Sequence, residues 1–470
     1  MDPLVVIYGS TGTGKSDLAV ELALRFNGEV INADAMQMYQ GLPIITNQLT
    51  AAEKRGVPHH LLGNIGLEEA PWSVMEFKRE ATRIISEIRH RGKLPIVVGG
   101  SSYYIDGLLY DGRLVEEQKL PGMAAGGLAT QDEYLAKYPI LSAPADVMLE
   151  KLREVDPIMA DRWHPNDIRK IRNSLAVFLA TGRRASDIYA EQQSRKKSKW
   201  SPSSAAAAPR NQSPWNALLL WLYAGPEALK PRLDKRVDKM LENGLVDETV
   251  QVYDYLQARL ATGETIDRTK GIWQSIGFRQ FETYLCALKE KPPPETSAEE
   301  LAKLKQAGVE DTKTATRQYA KYQVRWVTMK TLTSLQEEKK LDRFFLLDSS
   351  DIQSWGDEVL TKGVKLTRQL LAGEPLPQPV DLSPTAREVL TSMLERSNRR
   401  DTPCNRVCDL CKKTFVLDDD WRKHIESNRH RAADRRAKRH ALVPVEQTIS
   451  QEVVKLQQEE NQPVYDLDKL

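Results

Sequence analysis

The sequence lacks the features of a membrane protein and of a disulfide-stabilised domain. No apolar run approaches the roughly 18 residues that a membrane-spanning helix needs. Only four cysteines occur, and three of them, Cys404, Cys408 and Cys411, fall within eight residues, which favours a metal site over a disulfide framework. Because no basic or apolar leader precedes the first apolar run, we expect a cytoplasmic protein, with nuclear or mitochondrial pools left open.

The sequence also lacks a strong net charge. Its 67 basic and 65 acidic residues leave a formal charge of +2, so any surface for nucleic acid must be a local basic patch. Hydrophobic residues make up 41% of the chain and charged residues 28%, which are values typical of a folded protein. At about 100 to 200 residues per domain, the length allows two to four domains.

Short β-branched runs alternate with helical patterns along the first hundred residues, which indicates a parallel sheet covered by helices. The predicted strands are residues 4–8, 29–32, 95–98, 217–223 and 343–347, and the predicted early helices are residues 17–26 and 73–91.

The later strands imply that the core is interrupted by an insertion and followed by a separate module. The predicted parts are residues 1–109, the first part of the core; 110–212, a mainly helical insertion with a mobile Ser/Pro/Ala-rich loop at 194–213; 213–370, the second part of the core; 371–400, a Pro-rich linker; 401–440, a zinc finger; and 441–470, a polar tail. Residues 291–312 are expected to be a surface excursion with one short helix.

Residues 9–16 read Gly-Ser-Thr-Gly-Thr-Gly-Lys-Ser, which matches the phosphate-binding P-loop between a strand and a helix. Backbone N–H groups and the helix N-terminus would bind phosphate oxygens, while Lys15 adds a positive charge and Ser16 a hydroxyl ligand for Mg²⁺. The predicted diphosphate-binding residues in this loop are Gly9, Thr11, Gly12, Thr13, Gly14, Lys15 and Ser16.

A P-loop does not by itself identify a reaction. Nucleotide hydrolases commonly place an acidic residue at the end of a neighbouring strand, but the strand at 95–98 runs into Gly99 and Gly100. Asp34 instead follows the second predicted strand, at the sheet edge where sites of parallel sheets lie. Position alone leaves two interpretations of Asp34 open, because an aspartate there is also a common helix cap or turn residue.

The C-terminal cysteines and histidines have the spacing of a zinc finger. The predicted Zn²⁺ ligands are Cys408, Cys411, His424 and His430. Two thiolates and two imidazoles complete a tetrahedral site, and Phe415 and Trp421 supply a small core. Between Trp421 and His440 there are eight Lys or Arg and two acidic residues; beside a zinc module this charge favours contact with nucleic-acid phosphates over a merely solvated helix face. The fold class is therefore α/β: a P-loop parallel sheet core with a mainly helical insertion and a C-terminal C2H2-type zinc finger.

Seven sequence blocks resemble the tRNA dimethylallyltransferases. They are residues 9–16, 34–39 with 44–47, 95–100, 164–167, 232–241, 274–278 and 316–321. The resemblance spans about residues 4–350, and the finger is similar to that of the eukaryotic branch. It implies a monomeric enzyme that transfers a dimethylallyl group from dimethylallyl diphosphate to N6 of adenosine 37, in the anticodon stem-loop of tRNA, giving N6-isopentenyladenosine and diphosphate.

The resemblance also implies residue roles. Asp34 would take the proton from the adenine amine, Thr11 would contact the diphosphate near the breaking bond, and Arg236 would clamp the diphosphate from the far side. The residues implied to contact tRNA are Asp34, Gln37, Arg169, Lys170, Arg172, Gln274, Gly277, Arg279, Arg317 and Gln323. The sequence departs from the family at Asn173, where the basic run usually ends in Arg.

Three other functions are compatible with parts of this pattern. An adenylate isopentenyltransferase of cytokinin synthesis, acting on AMP, ADP or ATP, would share the fold, but it needs neither a long insertion nor a basic finger. A small-molecule kinase shares only the P-loop. A catalytically silent RNA-binding scaffold would not need Thr11, Lys15, Asp34 and Arg236 together.

Overall fold

In a computed structural model of the chain, the described residues are 2–110, 137–198, 215–289, 297–398 and 402–441. The chain divides into two compact units, Met1–Leu114 with Ala206–Arg399 and Val115–Ala205 with Arg400–Leu470. Most of the predicted loop at 194–213 and nearly all of the predicted tail at 441–470 lie outside the described residues. Within the described ranges, no helix has the length and apolar character needed to cross a membrane.

The first unit contains a six-stranded parallel sheet with the order β3-β2-β4-β1-β5-β6. The strands of the protein are β1 Pro3–Gly9, β2 Gly28–Asn32, β3 His59–His60, β4 Leu94–Val98, β5 Asn216–Tyr223, β6 Phe344–Asp348, and a separate antiparallel hairpin of β7 Pro403–Cys408 and β8 Lys413–Leu417. The fold class predicted from the sequence is confirmed by this sheet and by the C-terminal Cys/His cluster.

Helices cover the sheet and build most of the rest of the protein. They are α1 Lys15–Arg25, α2 Ala51–Lys54, α3 Val74–His90, α4 Ser102–Leu109, α5 Ala145–Val155, α6 Pro157–Arg162, α7 Ile168–Thr181, α8 Ala185–Ser198, α9 Pro226–Glu242, α10 Leu245–Ala261, α11 Phe278–Lys289, α12 Ala298–Trp326, α13 Leu332–Glu337, α14 Lys362–Ala372, α15 Pro384–Asn398, α16 Asp418–Glu426 and α17 Asn428–Ala441.

Strand β1 lies in the middle of the sheet and is buried on both faces. Leu4, Val6 and Tyr8 belong to one hydrophobic cluster, whereas Val5 and Ile7 belong to a second. Successive side chains of a strand point to opposite faces, so the two clusters are the cores above and below the sheet. A strand covered on both faces reads as a continuous apolar run, which is why the sequence predicted it.

The short strand β3 has no counterpart in the sequence prediction. It pairs with β2 over two residues, too few to show a periodicity. Glu29 of β2 is buried and binds His60 at 2.7 Å, Arg91 at 2.6 Å and Lys93 at 2.9 Å. Burial would raise the pKa of Glu29, but the hydrogen bonds from Arg91, Lys93 and His60 outweigh it and lower this pKa to about 2.

The second unit contains a small helical core of its own. Leu149, Leu152 and Ile171 are among its fully buried or nearly buried residues. Asp156 is completely buried there, and its carboxylate accepts hydrogen bonds from the N–H groups of Met159 (3.2 Å) and Ser186 (2.9 Å). One side chain therefore binds N–H groups at the starts of both α6 and α8, where main-chain donors lack the partners of a helix interior.

The region predicted as a surface excursion is instead largely helical. Residues 298–312 form the first half of α12, a helix of 29 residues. Val309 and Thr312 are buried, whereas most of the surrounding side chains are exposed and several are charged. So few buried side chains in a polar segment give only a weak helical periodicity of apolar residues. The prediction of one short helix was wrong for this reason.

The structure also differs from the linker expected over residues 371–400. Residues 384–398 form α15, and its side chains Ala386, Leu390 and Met393 are buried in the first unit's core. Thr385 at its start donates a 2.7 Å hydrogen bond to Asp348 at the end of β6. The prolines before the helix do mark a loop, but the segment after them is a helix that completes the core and was not predicted.

Helix α15 should therefore contribute to stability. Leu390, which is 3% exposed, should on substitution by alanine lower the free energy of unfolding by about 2 to 4 kcal/mol, because the cavity adds to the lost burial. Glu395→Ala, on the exposed side of the same helix, is the matched control and should change it by less than about 0.5 kcal/mol. Urea unfolding of both variants measures the difference, and equal stabilities would show that α15 is not part of the folded core.

Candidate active site

The candidate site lies at the carboxyl edge of the sheet, where the loops after β1, β2 and β4 meet. Three hydrogen bonds tie the loop after β2 to the end of β4 and the loop after it: Ala33 N–H donates to the Val98 carbonyl (2.8 Å), Ser101 N–H donates to the Ala33 carbonyl (3.2 Å), and Ala35 N–H donates to Ser101 Oγ (3.1 Å). Adjacent parallel strands bring such loops together because all their carboxyl ends lie at one edge.

The loop after β1 has the conformation that the P-loop motif predicts. Gly14 has φ 82°, which favours glycine, and a Cβ at this position would lie 2.9 Å from Trp355 Nε1. Thr13 Oγ1 and Lys15 Nζ each donate a 2.8 Å hydrogen bond to the Ser10 carbonyl. The loop is thus held in a closed turn at the N-terminus of α1, where backbone N–H groups attract anions.

Gln323 of α12 joins this loop to the loop after β4. Its Oε1 accepts a 2.9 Å hydrogen bond from the Thr11 N–H, and its Nε2 donates a 3.0 Å bond to the Gly100 carbonyl. The side chain is 3% exposed, so its immediate partners are these two loops rather than a ligand in solvent. A Cβ on Gly100 would lie 2.4 Å from Gln323 Nε2 and 3.2 Å from Asp34 Oδ2, which explains the glycine there.

Asp34 is oriented by the residues around it. Its N–H donates to Asn32 Oδ1 (3.1 Å), and its Oδ1 accepts from the Met36 N–H (3.1 Å). The carboxylate is half-buried. Burial raises its pKa above the ordinary value, against the lowering effects of Lys15, the Met36 N–H and Arg236. Asp34 is therefore a turn residue, and it is also a carboxylate made more basic beside the P-loop.

Lys15 and Arg236 supply the positive charges of the site. Burial is the largest effect on Lys15 and lowers its pKa to about 8, against the attraction of Asp34 and together with the repulsion from Arg236. Arg236 extends from α9 and is close enough to influence Lys15, Asp34 and Asp17. Burial lowers its own pKa as well, but an arginine remains charged. The structure thus brings together the P-loop, Asp34 and Arg236, which the sequence placed in three separate blocks.

Four other predicted tRNA contacts in this unit have partners within the protein. Gln37 Nε2 donates to the Asn47 carbonyl (2.9 Å), and Arg317 binds both carboxylate oxygens of Asp234 at 2.9 Å. Arg279 donates to Gln274 Oε1 (2.9 Å). Arg317 is largely engaged by the ion pair, whereas Gln274 and Arg279 lie on the surface. Gly277, the fifth predicted contact here, has φ 110° and a main-chain N–H bonded to Gln280 (2.8 Å).

The predicted basic contacts Arg169, Lys170 and Arg172 lie on α7 of the second unit. Lys170 forms an ion pair with Asp167 at 2.7 Å and stands 5.1 Å from the Trp163 ring centre. Arg169 and Asn173 are exposed, whereas Arg172 is partly buried.

Two residues of the site received no individual role in the sequence analysis, although Tyr319 lies within the family-like block 316–321. Glu248 of α10 is 6% exposed, and its carboxylate accepts hydrogen bonds from the N–H groups of Ile44 (2.9 Å) and Ile45 (2.7 Å). It fixes the loop whose Asn47 holds Gln37. Tyr319 is hydrogen-bonded to Ser101 and Gln323, and burial raises its pKa. An acidic residue in the first turn of a helix resembles a surface charge near the helix dipole, so the sequence carried no signal of the burial of Glu248.

The finger brings its four predicted ligands together. Donor atoms of Cys408, Cys411, His424 and His430 all lie within 4.8 Å of one another. Both sulfurs stand 3.6 Å from His430 Nδ1, and bonds of about 2.3 Å to sulfur and about 2.1 Å to nitrogen at a tetrahedral angle require roughly this separation. His424 Nε2 is buried and makes no hydrogen bond in the described structure, as expected of an atom that binds a metal. The cluster can therefore hold a metal ion.

Comparisons with known proteins agree with this geometry. The IPP transferase family matches residues 37–330. The tRNA dimethylallyltransferase of Schizosaccharomyces pombe is 35% identical, with 94% of this chain and 97% of that protein covered. That of Homo sapiens is 35% identical, with 91% and 85% covered. A crystal structure of a eukaryotic dimethylallyltransferase acting on tRNA superimposes with a TM-score of 0.72 at 32% identity, covering 94% of this chain and 98% of that one. A family match over residues 37–330, together with relatives that cover more than nine-tenths of the chain, leaves one conclusion: this chain belongs to the IPP transferase family.

Proposed function

We propose that the site at the sheet edge transfers a dimethylallyl group from dimethylallyl diphosphate to N6 of adenosine 37 in tRNA. The chain is a transferase that modifies tRNA, in agreement with its eukaryotic relatives. The observation that carries the mechanism is the position of Asp34, a carboxylate of raised pKa whose charge interacts with Lys15 and Arg236 beside a P-loop. One site thereby combines positive charges that can stabilise a leaving anion with a carboxylate that can accept a proton.

The P-loop side of the site suits a diphosphate leaving group. Breaking the bond between an allylic carbon and oxygen leaves negative charge on the diphosphate, and oriented N–H groups with Lys15 and Arg236 stabilise that charge as it develops. Thr11 lies at the turn of the loop, with its main-chain N–H held by Gln323. Arg236, on a separate helix, is suited to bind the diphosphate from the side opposite α1.

The Asp34 side of the site suits an amine acceptor. An adenine N6 amine is a weak nucleophile, and a carboxylate within hydrogen-bond reach can take its proton as the new carbon–nitrogen bond forms. The hydrogen bonds of Asp34 to Asn32 and Met36 hold the carboxylate in one orientation. Gln37, held by Asn47, is placed three residues away to contact the acceptor base.

The oxygen donors near the P-loop fit Mg²⁺, which prefers oxygen ligands. Ser16 follows Lys15 at the start of α1. The charge of Arg236 acts to lower the pKa values of both Asp17 and Asp34. When bound, Mg²⁺ would neutralise part of the diphosphate charge, with Ser16 as the predicted protein ligand. The metal of the finger is proposed to be Zn²⁺, because two thiolates with two imidazoles form its usual structural site. A monomeric state remains a prediction.

The acceptor is better explained as tRNA than as a free adenine nucleotide. A small nucleotide would need neither the basic run on α7 nor the eight basic residues between Trp421 and His440. These cationic surfaces suit the phosphate backbone of a large RNA. The solved relative is described as acting on tRNA, and the curated relatives are named for it, which opposes the cytokinin-forming alternative.

The first prediction for this function concerns Asp34. Asp34→Asn should lower turnover by roughly 100-fold or more, because the amide cannot accept the proton, while binding of tRNA and donor changes little. Single-turnover prenylation with radiolabelled dimethylallyl diphosphate, with tRNA binding measured separately, tests this. Asp348→Asn, at the carboxyl end of β6 in the same sheet, is the control and should retain turnover. An Asp34→Asn enzyme of normal rate would exclude Asp34 as the base.

A second prediction concerns pH. The value of kcat/KM for dimethylallyl diphosphate should rise as Asp34 loses its proton and fall above about pH 8 as Lys15 loses its own. Lys15→Arg should be less active at every pH, since the two side chains have different shapes, but should lack the fall near pH 8 because arginine stays charged. A rate profile from pH 5 to 10 compares them. The same alkaline fall in both enzymes would assign it to another group.

A third prediction concerns the finger. A chain ending at residue 398 keeps α15 and should still prenylate tRNA at saturating concentration, but with weaker affinity. If four basic residues of the finger contact phosphates, the log-log dependence of tRNA affinity on salt should flatten by about 3, at roughly 0.7 to 0.9 per contact. Cys408→Ser should behave like the truncated chain, because loss of the metal unfolds the finger.

The matched control for that experiment is Cys404→Ser. Cys404 belongs to the same strand β7 but lies outside the Cys/His cluster, so this variant should keep the salt dependence of the full chain. Equal slopes for the full, truncated and Cys408→Ser proteins would mean that the finger does not contact tRNA phosphates.

A further inference from the structure

Half-exposed aromatic rings line the surface next to the candidate site. Tyr322 and Trp326 extend from α12 and Tyr103 extends from α4; we call these three residues the aromatic row. The ring centres of Tyr322 and Trp326 are 6.0 Å apart, as are those of Tyr103 and Trp326. Tyr103 is 52% exposed and Tyr322 is 54% exposed. Two large exposed rings on either side of a third are typical of a binding surface.

The central ring of the row is held rigidly. Trp326 Nε1 donates a 2.8 Å hydrogen bond to Asp106 Oδ2, and Thr331 Oγ1 donates to Asp106 Oδ1 at 3.2 Å. Asp106 is 4% exposed, and a buried carboxylate is stable only when such bonds are made. The indole plane is therefore set by the protein interior, which preorganises the row for a flat ligand.

The row is continuous with the candidate site. Gln323, which bridges the two loops at the sheet edge, precedes Trp326 by three residues, or about 4.5 Å along the helix axis. Tyr319, bonded to Ser101 at the site itself, stacks on Tyr322 with ring centres 6.4 Å apart and planes at 19°. The aromatic faces thus extend outward from the position proposed for the acceptor adenine.

Charge around the row favours RNA over a hydrophobic protein segment. Lys321 and Arg325 lie on the same helix and are exposed. Cationic side chains that alternate with exposed rings are the usual composition of a surface for single-stranded nucleic acid, because the rings stack on bases and the cations contact phosphates.

We propose that the aromatic row stacks the unpaired base that neighbours the acceptor adenosine in the tRNA loop. The proposal rests on the proposed function and adds a subsite to it. Because every base has a π face, stacking tolerates different bases, so the row recognises that the neighbour is unpaired and stacked, whatever its identity. The same stacking holds the tRNA loop in place while the acceptor base rotates out of the loop and into the site.

The test compares two anticodon stem-loop RNAs, one with normal nucleotides beside the acceptor adenosine and one with abasic nucleotides there. Tyr322→Ala should raise KM for the normal RNA about tenfold and leave KM for dimethylallyl diphosphate unchanged. On the abasic RNA the same substitution should change KM less than twofold, because the stacking partner is already absent. Tyr322→Phe keeps the ring and should restore the wild-type KM, and Tyr103→Ala should repeat the pattern of Tyr322→Ala.

Leu260→Ala, a partly exposed apolar side chain of α10, is the control and should leave both KM values unchanged. If Tyr322→Ala raises KM equally on both RNAs, or on neither, the stacking proposal is overturned; no effect on either would leave the row as a surface for a protein partner. Failure of the wild-type enzyme to prenylate the normal RNA would instead overturn the proposed function, so the two failures are distinguishable.

Discussion

The candidate site depends on one buried side chain, the amide of Gln323. Two loops rich in glycine lie side by side at the ends of β1 and β4. The Gln323 amide binds the Thr11 N–H of one loop and the Gly100 carbonyl of the other, at 2.9 and 3.0 Å. An amide carries a donor and an acceptor on separate atoms at one end, so it can join a main-chain donor to a main-chain acceptor without a charge. Helix α12 thereby positions the P-loop and also carries the tyrosines that extend from the site.

Binding of the proposed donor would change the pKa values of Asp34 and Lys15. Without a ligand, burial raises the pKa of Asp34 and lowers that of Lys15, while the two groups partly stabilise each other. In the proposed reaction, a diphosphate between Lys15 and Arg236 would add negative charge, which would raise the pKa of Lys15 and keep it protonated. The same negative charge would raise the pKa of Asp34 further and make it a stronger base towards the amine. Under this proposal, donor binding favours both the departure of the diphosphate and the removal of the amine proton.

The sequence predicted the parts of the structure whose residues carry a strong local signal. The continuous apolar run of β1, the P-loop glycines and the Cys/His spacing each have a local physical cause, and the structure has a strand, a closed loop and a ligand cluster there. Helix α15 and the first half of α12 were missed because a few buried side chains in polar segments leave little periodicity. Glu248 was missed, and the bridging role of Gln323 was not predicted, for another reason. Their roles arise from main-chain groups more than 200 residues away in the sequence, and no local pattern records such partners.

The glycines after β4 also restrict which reactions this sheet edge can perform. A Cβ on Gly99 would lie 2.2 Å from the Ala33 carbonyl oxygen, and one on Gly100 would lie 2.4 Å from Gln323 Nε2. An acidic side chain at either position, as nucleotide hydrolases commonly have at a strand end, would displace the loop that carries Asp34 or the amide that holds the P-loop. The carboxylate of the site follows β2 instead, at Asp34, which we propose as the base that faces the acceptor. The packing around Gly99 and Gly100 thus leaves the end of β2, rather than the end of β4, as the place for a carboxylate at this edge of the sheet.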